Sequence, residues 1–235
     1  MWPFEKKYSI QGSGLLKGWT DWHSHILPGV DDGIKKAEDS LKVLEYYEKE
    51  GVEHVWFTPH IMADTPNETE FLSVRFEKFQ AIYKGKVKLH LAAEHMIDRL
   101  FEQRLDEDDL LPYDDHCLLV ETSYFNPPIH LWKTLEKIQK KGYYPVLAHP
   151  ERYEYMEEDD YHDLIRMNVE FQLNLGSVCG LYGREAMKKA MWLLKKGYYH
   201  LCGSDLHRYD ITVNHFNKEM ISKDIIKAIE ETMEL

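Results

Sequence analysis

Seven short apolar runs recur along the chain, at 19–27, 54–61, 86–94, 117–124, 144–149, 169–175 and 199–204, and the stretches between them are too long for hairpin turns. Helical spacing of apolar residues fills several of those stretches: Leu41, Leu44 and Tyr47 within 37–50, Val74, Phe79 and Ile82 within 71–83, Leu131, Leu135 and Ile138 within 129–140, and Met187, Met191 and Leu194 within 184–196. Gly51, Gly142 and Gly197 follow lysine- or glutamate-rich last turns, where a left-handed helix cap is expected. Alternation of this kind makes successive strands parallel and joins them by right-handed crossovers. The pattern therefore predicts an α/β fold, a distorted TIM-like seven-stranded (β/α)7 barrel, with a doubly wound open sheet as the other arrangement of the same elements. The 235 residues carry no repeat, low-complexity tract or Pro/Gly/Ser-rich linker, so one domain is expected over 19–235, after an N-terminal extension over 1–18.

The polar residues take their meaning from that layout. His23 and His25 close the first run, His60 the second, Glu94 the third, Glu121 the fourth, His149 the fifth, and Asp205 and His207 the seventh, while Asp32 follows the first run in Gly-Val-Asp-Asp-Gly. In a barrel of parallel strands these C-terminal ends converge on one mouth. Residues two apart on an extended strand point the same way, so the imidazoles of His23-x-His25 can reach one ion, and Asp205-x-His207 repeats the spacing. Mixed imidazole and carboxylate donors suit zinc, manganese or iron. Nine candidates exceed the needs of one tetrahedral ion, which implies two or three ions and a bridging carboxylate, Glu94 or Asp205. Taken singly, Asp32 also suits a helix cap and Glu121 a buried salt bridge. His95 is intermediate, and His54, His90, His116 and His162 read as ordinary core or surface residues.

Charge and cysteine content narrow the partners. A net charge of −12 argues against nucleic acid, which needs clustered Lys and Arg, whereas bound cations can make an acidic pocket attract phosphate. Three cysteines, Cys117, Cys179 and Cys202, suggest neither a disulfide framework nor a thiolate zinc site. With charges and a proline in Met-Trp-Pro-Phe-Glu-Lys-Lys and no long apolar run, a cytoplasmic protein without membrane insertion is expected.

His23-x-His25, Asp32, Thr-Pro-His60, Glu94, Glu121, His149-Pro-Glu-Arg152 and Gly-Ser-Asp205-x-His207 together resemble the PHP (polymerase and histidinol phosphatase) superfamily. Within it, the chain is similar to the bacterial manganese-dependent protein-tyrosine phosphatases of capsular and exopolysaccharide operons. The resemblance runs from about residue 19 to 210, departing at Ala93, where the family usually has glycine. It implies the PHP barrel and a trinuclear site: His23, His25, Glu94 and Asp205 on one ion, Glu94, Glu121 and His149 on a second, and Asp32, His60 and His207 on a third. It also implies a partner, a bacterial tyrosine kinase that regulates polysaccharide export and carries the phosphotyrosine. The expected chemistry is direct in-line attack by metal-bound hydroxide, with Arg152 as the phosphate-binding arginine and Arg208 as a second candidate.

Three other readings compete. Cys202 and Arg208 fit the Cys-x5-Arg spacing of cysteine-dependent tyrosine phosphatases, although Asp205 between them would repel phosphate and raise the thiol pKa. A PHP-type phosphatase of a small monoester resembling histidinol phosphate would use the same ligands. A non-catalytic binding module should lack some of them, and none is missing. Gly176–Gly183 reads chiefly as a flexible strand-to-helix loop, and Tyr124-Phe125 and Tyr153-x-Tyr155 as either core or a rim for an aromatic substrate. The closing helix 223–234 is amphipathic and suits packing on the barrel or on another subunit.

Overall fold

The computed structural model describes residues 6–114 and 116–233. Its strands are β1 (Thr20–Ser24), β2 (His54–Phe57), β3 (His60–Ile61), β4 (Lys88–Leu91), β5 (Glu94–Met96), β6 (Cys117–Glu121), β7 (Tyr144–Ala148), β8 (Glu170–Asn174) and β9 (Leu201–Gly203). All pair in parallel, in a three-stranded sheet β1-β2-β4 and a six-stranded sheet β3-β5-β6-β7-β8-β9. Both sheets follow chain order, without the reversal a doubly wound sheet requires.

Nine strands in two sheets replace the seven continuous strands expected, because the second and third runs each break once. Thr58-Pro59 interrupts the second, where proline lacks a donor for the ladder; Ala92-Ala93 interrupts the third, where Ala93 N–H turns away to Leu111 O at 2.9 Å. Beyond the breaks, His60 lies in register with Glu94. The sheets also meet at β1 and the end of β9: Asp205 N–H donates to His23 O at 2.7 Å and His25 N–H to Leu206 O at 3.1 Å, with a parallel bridge between Ser24 and Leu206.

Helices Ala37–Glu50, Thr69–Ile82, Leu131–Lys140, Gly183–Lys196 and Lys223–Met233 lie within a residue or two of the helical spacing read from sequence. Shorter helices such as Glu158–Arg166 and Tyr209–Phe216 were not legible. The main core joins strand residues such as Val55, Phe57, Leu118 and Leu173 to helix residues such as Val43, Leu44, Leu135 and Leu193. A smaller cluster of Trp56, Ala92, Tyr113, Leu119, Val146 and Ala148 includes a stack of Trp22 on Trp56 at 5.7 Å. Residues before the first strand belong to the main core, with Ile10, Leu15 and Leu16 buried and Tyr8 bridged to Ile221. Among the described residues no helix is long and apolar enough to cross a membrane.

Candidate metal centre

All nine candidates converge on one cluster. His23 Nε2 lies 3.1 Å from His25 Nε2, 3.2 Å from Glu94 Oε2 and 3.5 Å from Asp205 Oδ1, and His25 Nε2 is 3.3 Å from each of those two oxygens. His60 Nδ1 is 3.1 Å from both Glu94 Oε2 and Glu121 Oε1. His149 Nε2 is 2.9 Å from Glu94 Oε1 and 4.0 Å from Glu121 Oε2. Asp32 Oδ1 is 3.3 Å from His207 Nε2 and 3.5 Å from His60 Nε2, and His207 Nδ1 is 3.2 Å from Asp205 Oδ1. Donors on one ion with bonds of ~2.1 Å stand ~3.0–3.4 Å apart at angles of ~90–109°, and these separations fall close to that range.

Among the described residues three sets could hold an ion: His25, Asp32, His60 and His207; His23, His25 and Glu94; and His60, Glu94 and Glu121. Compared with the grouping the resemblance implies, His60 also faces Glu94 and Glu121, and His25 stands between two sets. Glu94 reaches four of the five imidazoles, a more central position than that of Asp205. Buried side-chain polar atoms nearly always find a hydrogen bond. Of the seven among the described residues that do not, four belong here: His60 Nδ1, Glu94 Oε2, Glu121 Oε1 and His149 Nδ1. Cations among such donors would satisfy the acceptors, so the residues fit a metal centre.

Local structure holds the donors in place. Asp21 pairs with Val55 and Ser24 with Phe57, so two residues of β1, Trp22 and His23, oppose the single Trp56 of β2, and this bulge replaces the simple strand alternation expected for His23-x-His25. His149 and Asp205 have left-handed φ of 35° and 51°, unusual for residues other than glycine and typical of sites held under strain. Gly203 and Gly33 allow close approach: a Cβ on Gly203 would lie 2.4 Å from His23 Cβ, and one on Gly33 2.3 Å from His25 O.

Behind the donors stands a layer that sequence reasoning passed over. Asp31 Oδ2 is 2.8 Å from His25 Nδ1, and Gln172 Oε1 is 2.8 Å from His23 Nδ1, leaving both Nε2 atoms to face the cluster. Buried Asp21 accepts from Ser204 N–H at 2.7 Å, Ser204 Oγ at 2.6 Å and Tyr47 O–H at 2.7 Å. Asp32 caps no helix, since the next one begins at Ala37.

The cluster is strongly polarised. Burial lowers imidazole pKa values and the histidines repel each other's protons, yet the carboxylates outweigh both effects. His60 is pushed up to about 10 by Glu94 and Glu121, and His207 to about 9 by Asp205 and Asp32. His25 is raised well above its ordinary value, chiefly by Asp31. Glu94 and Asp205 are held well below the carboxylate range despite burial, Glu94 by His23 and His60 and Asp205 by His207 and His23; the hydrogen bond with His207 lowers Asp32. The carboxylates thus draw positive charge to the positions that a divalent ion would take.

A cavity of about 400 Å³ opens over the cluster, lined by Asp32, His60, Asp205 and His207 together with Tyr124, Arg152, Tyr182 and Arg208. A second, of about 300 Å³, lies at the opposite strand ends beside Trp19, Thr20 and Leu201, away from these donors. Arg152, on the short turn Pro150–Arg152, places Nη1 2.6 Å from Asp205 Oδ2. Its guanidinium carbon is 4.4 Å from the Tyr124 ring centre and 3.9 Å from that of Tyr182. The same Asp205 oxygen accepts from Asn174 Nδ2 at 2.8 Å and Tyr182 O–H at 3.2 Å, so β8, the run with no expected ligand, also contributes to the centre. Arg208 is exposed at the rim.

Other candidates resolve differently. Cys202 is buried within β9, and burial, then Asp21 and Glu151, push its thiol well above the ordinary value, which disfavours a thiolate nucleophile. His95 is buried beside Leu119 O and Leu111 N–H and is lowered by burial to about 4, as suits a neutral core histidine. Tyr124 lines the mouth, Phe125 is exposed, and Tyr153 is core.

The chain is similar to several known proteins. The profile of a family described as capsular polysaccharide synthesis, CpsB/CapC, matches residues 19–231. The tyrosine-protein phosphatase YwqE of Bacillus subtilis (strain 168) is 28% identical over 198 residues, covering 80% of this chain and 76% of that protein. The tyrosine-protein phosphatase CpsB of Streptococcus agalactiae serotype V is 28% identical over 213 residues, covering 81% of this chain and 84% of that protein. Among solved structures, one described as YwqE from Bacillus subtilis and CpsB from Streptococcus pneumoniae, unique metal-dependent tyrosine phosphatases, matches with a TM-score of 0.72 and 26% identity, over 92% of this chain and 93% of the other. The lactonase Lmo2620 from Listeria monocytogenes matches with a TM-score of 0.53 and 12% identity over 97% and 92% of the two chains, a likeness of fold alone.

Proposed function

Since the chain belongs to the CpsB/CapC family of capsular polysaccharide synthesis, we propose that it is a metal-dependent protein-tyrosine phosphatase acting on the phosphotyrosine of a bacterial tyrosine kinase in capsule or exopolysaccharide synthesis. The observation that carries this reading is the convergence of the nine His, Asp and Glu side chains, four of their buried atoms without a hydrogen bond, beneath a cavity that also holds an arginine. In this reading His23, His25, Asp32, His60, Glu94, Glu121, His149, Asp205 and His207 hold two or three divalent ions, manganese first and iron or zinc next. In this reading the two sheets together form one distorted seven-segment barrel from residue 19 onward, and the protein works in the cytoplasm.

Ions held by these residues would supply Lewis acidity and activate water for direct in-line displacement at phosphorus. The protein's own groups do the rest. Arg152 offers its planar donors to the phosphoryl oxygens, and its contact with Asp205 Oδ2 sets its distance from the centre. Asp205 divides its work, with Oδ1 toward His23 and His25 and Oδ2 toward Arg152 and Asn174. Tyr124 and Tyr182 flank the arginine and give the mouth aromatic walls suited to a phenyl ester. Arg208, exposed at the rim, meets anionic groups beside the scissile phosphate. Tyrosinate leaves readily, its parent pKa being ~10.

The test measures bound metal and hydrolysis of a phosphotyrosine peptide before and after chelation, beside histidinol phosphate and a nucleoside monophosphate. Loss of turnover on chelation, recovery with manganese and preference for the peptide are expected. Full activity of metal-free protein would overturn the metal reading, and preference for a small monoester the substrate.

A further inference from the structure

The stretch from Gly176 to Gly183, which sequence presents as a flexible connection, is folded against the mouth. Leu181 N–H donates to Gly176 O at 3.0 Å, Gly176 N–H to Asn174 Oδ1 at 2.9 Å, and Ser177 Oγ to Glu151 Oε1 at 2.7 Å. Glu151 immediately precedes Arg152, and Asn174 bonds Asp205, so the start of the segment is tied to groups beside the centre. Gly180 and Gly183 have left-handed φ of 78° and 89°, which lets the chain turn on either side of Leu181 and Tyr182. The turn brings Tyr182 to the mouth, with its ring centre 3.9 Å from the guanidinium carbon of Arg152 and its hydroxyl 3.2 Å from Asp205 Oδ2.

We propose that Tyr182 is a positioning residue for phosphate binding: its ring holds the Arg152 guanidinium, and its hydroxyl holds the Asp205 oxygen on which Arg152 is docked. An arginine side chain has many rotamers, and a guanidinium resting on an aromatic ring keeps its charge while losing that freedom before substrate arrives. Tyr124, at 4.4 Å, flanks the same group, but the contact with Asp205 belongs to Tyr182. One side chain thereby fixes both members of the Arg152–Asp205 pair. The inference rests on the proposed role of Arg152 as the phosphate clamp, and its test does not require phosphotyrosine to be the substrate.

The experiment uses the full chain loaded with manganese and compares Tyr182→Phe, Tyr182→Leu, Arg152→Ala and the Arg152→Ala/Tyr182→Leu double variant. Binding of inorganic phosphate is measured by calorimetry, KM and kcat on a phosphotyrosine peptide, and bound metal by elemental analysis. Tyr182→Leu should weaken phosphate binding and raise KM by about threefold to thirtyfold with metal content unchanged. Tyr182→Phe, which keeps the ring and loses the hydroxyl's contact with Asp205, should fall between wild type and Tyr182→Leu, and Tyr182→Leu should add less than about twofold when Arg152 is already alanine. Equal losses in both backgrounds, a Phe variant as impaired as the Leu variant, loss of metal in step with phosphate affinity, or a wild type that binds no phosphate would each overturn the proposal. Should phosphate binding follow the expected pattern while phosphotyrosine is not turned over, the substrate reading falls and the role of Tyr182 stands.

Discussion

Asp31 Oδ2 lies 2.8 Å from His25 Nδ1 and accepts the backbone N–H of His60 at 3.1 Å. One buried carboxylate therefore orients an imidazole of the first strand and anchors the segment that carries another. Carboxylates behind metal-facing histidines fix the tautomer and ring orientation, and their loss typically weakens metal binding ~10–100-fold. Asp31→Ala should lower manganese affinity by that order while circular dichroism stays native, and Asp31→Asn, which keeps an acceptor oxygen, should lose less. Equal affinities for wild type and Asp31→Ala, measured by competition with a chelator, would remove Asp31 from the centre.

Gly203 is a second dependence on backbone rather than on a donor. A methyl group there would stand 2.4 Å from His23 Cβ and 2.7 Å from His23 N, so β9 and β1 must move apart. Overpacking of this kind costs about 1–3 kcal/mol. Gly203→Ala should lower the denaturant midpoint accordingly and weaken metal binding. Unchanged stability and metal affinity would mean that the two strands tolerate separation at no cost.

The strand-end rule brought eight of the nine His, Asp and Glu positions together, because donors at the C-terminal ends of parallel strands share one mouth, while Asp32 lies in the loop after β1. The same rule reaches β8, yet Gln172 and Asn174 went unread because an amide is not a usual ligand and their work is to orient His23 and Asp205. Asp31 and Asp32 are neighbours of one type, and only the loop's path decides which supports His25 and which faces the mouth. Tyr182 depended on the left-handed turns at Gly180 and Gly183, which a glycine-rich stretch permits without specifying. Of the two strand breaks, Pro59 carries a signal, since proline cannot serve a ladder. Ala92-Ala93 carries none, and its break comes from the contact with Leu111.

Cys202 offers a direct contrast with the metal chemistry. Its thiol is buried and held well above its ordinary pKa, so it is neither accessible nor ionised near neutrality. Cys202→Ala should retain most phosphotyrosine hydrolysis, and iodoacetamide should leave the native enzyme active. Inactivation by both would revive a thiolate mechanism.

The raised histidines set a pH dependence whose sign can be worked out. In the metal-free protein His207 is raised to about 9 and His60 to about 10, against an ordinary value of ~6.5 in the unfolded chain. A raised folded-state pKa means that the native protein binds more protons than the unfolded one between those values, so stability falls as pH rises through that window. The contribution is complete below pH ~6.5 and lost as pH passes about 9 and then about 10. Asp21, raised by burial to about 6, titrates below this range. Metal binding runs the other way, because an ion takes the imidazoles only in their neutral form. Its affinity should rise with pH across the same interval, with protons released into a weakly buffered solution. Chelator-treated protein should therefore show a denaturant midpoint that drops between pH 7 and 9.5, while manganese-loaded protein holds steady or gains. A metal-free midpoint that rises over that interval would show that the cluster does not store protons where a cation would sit.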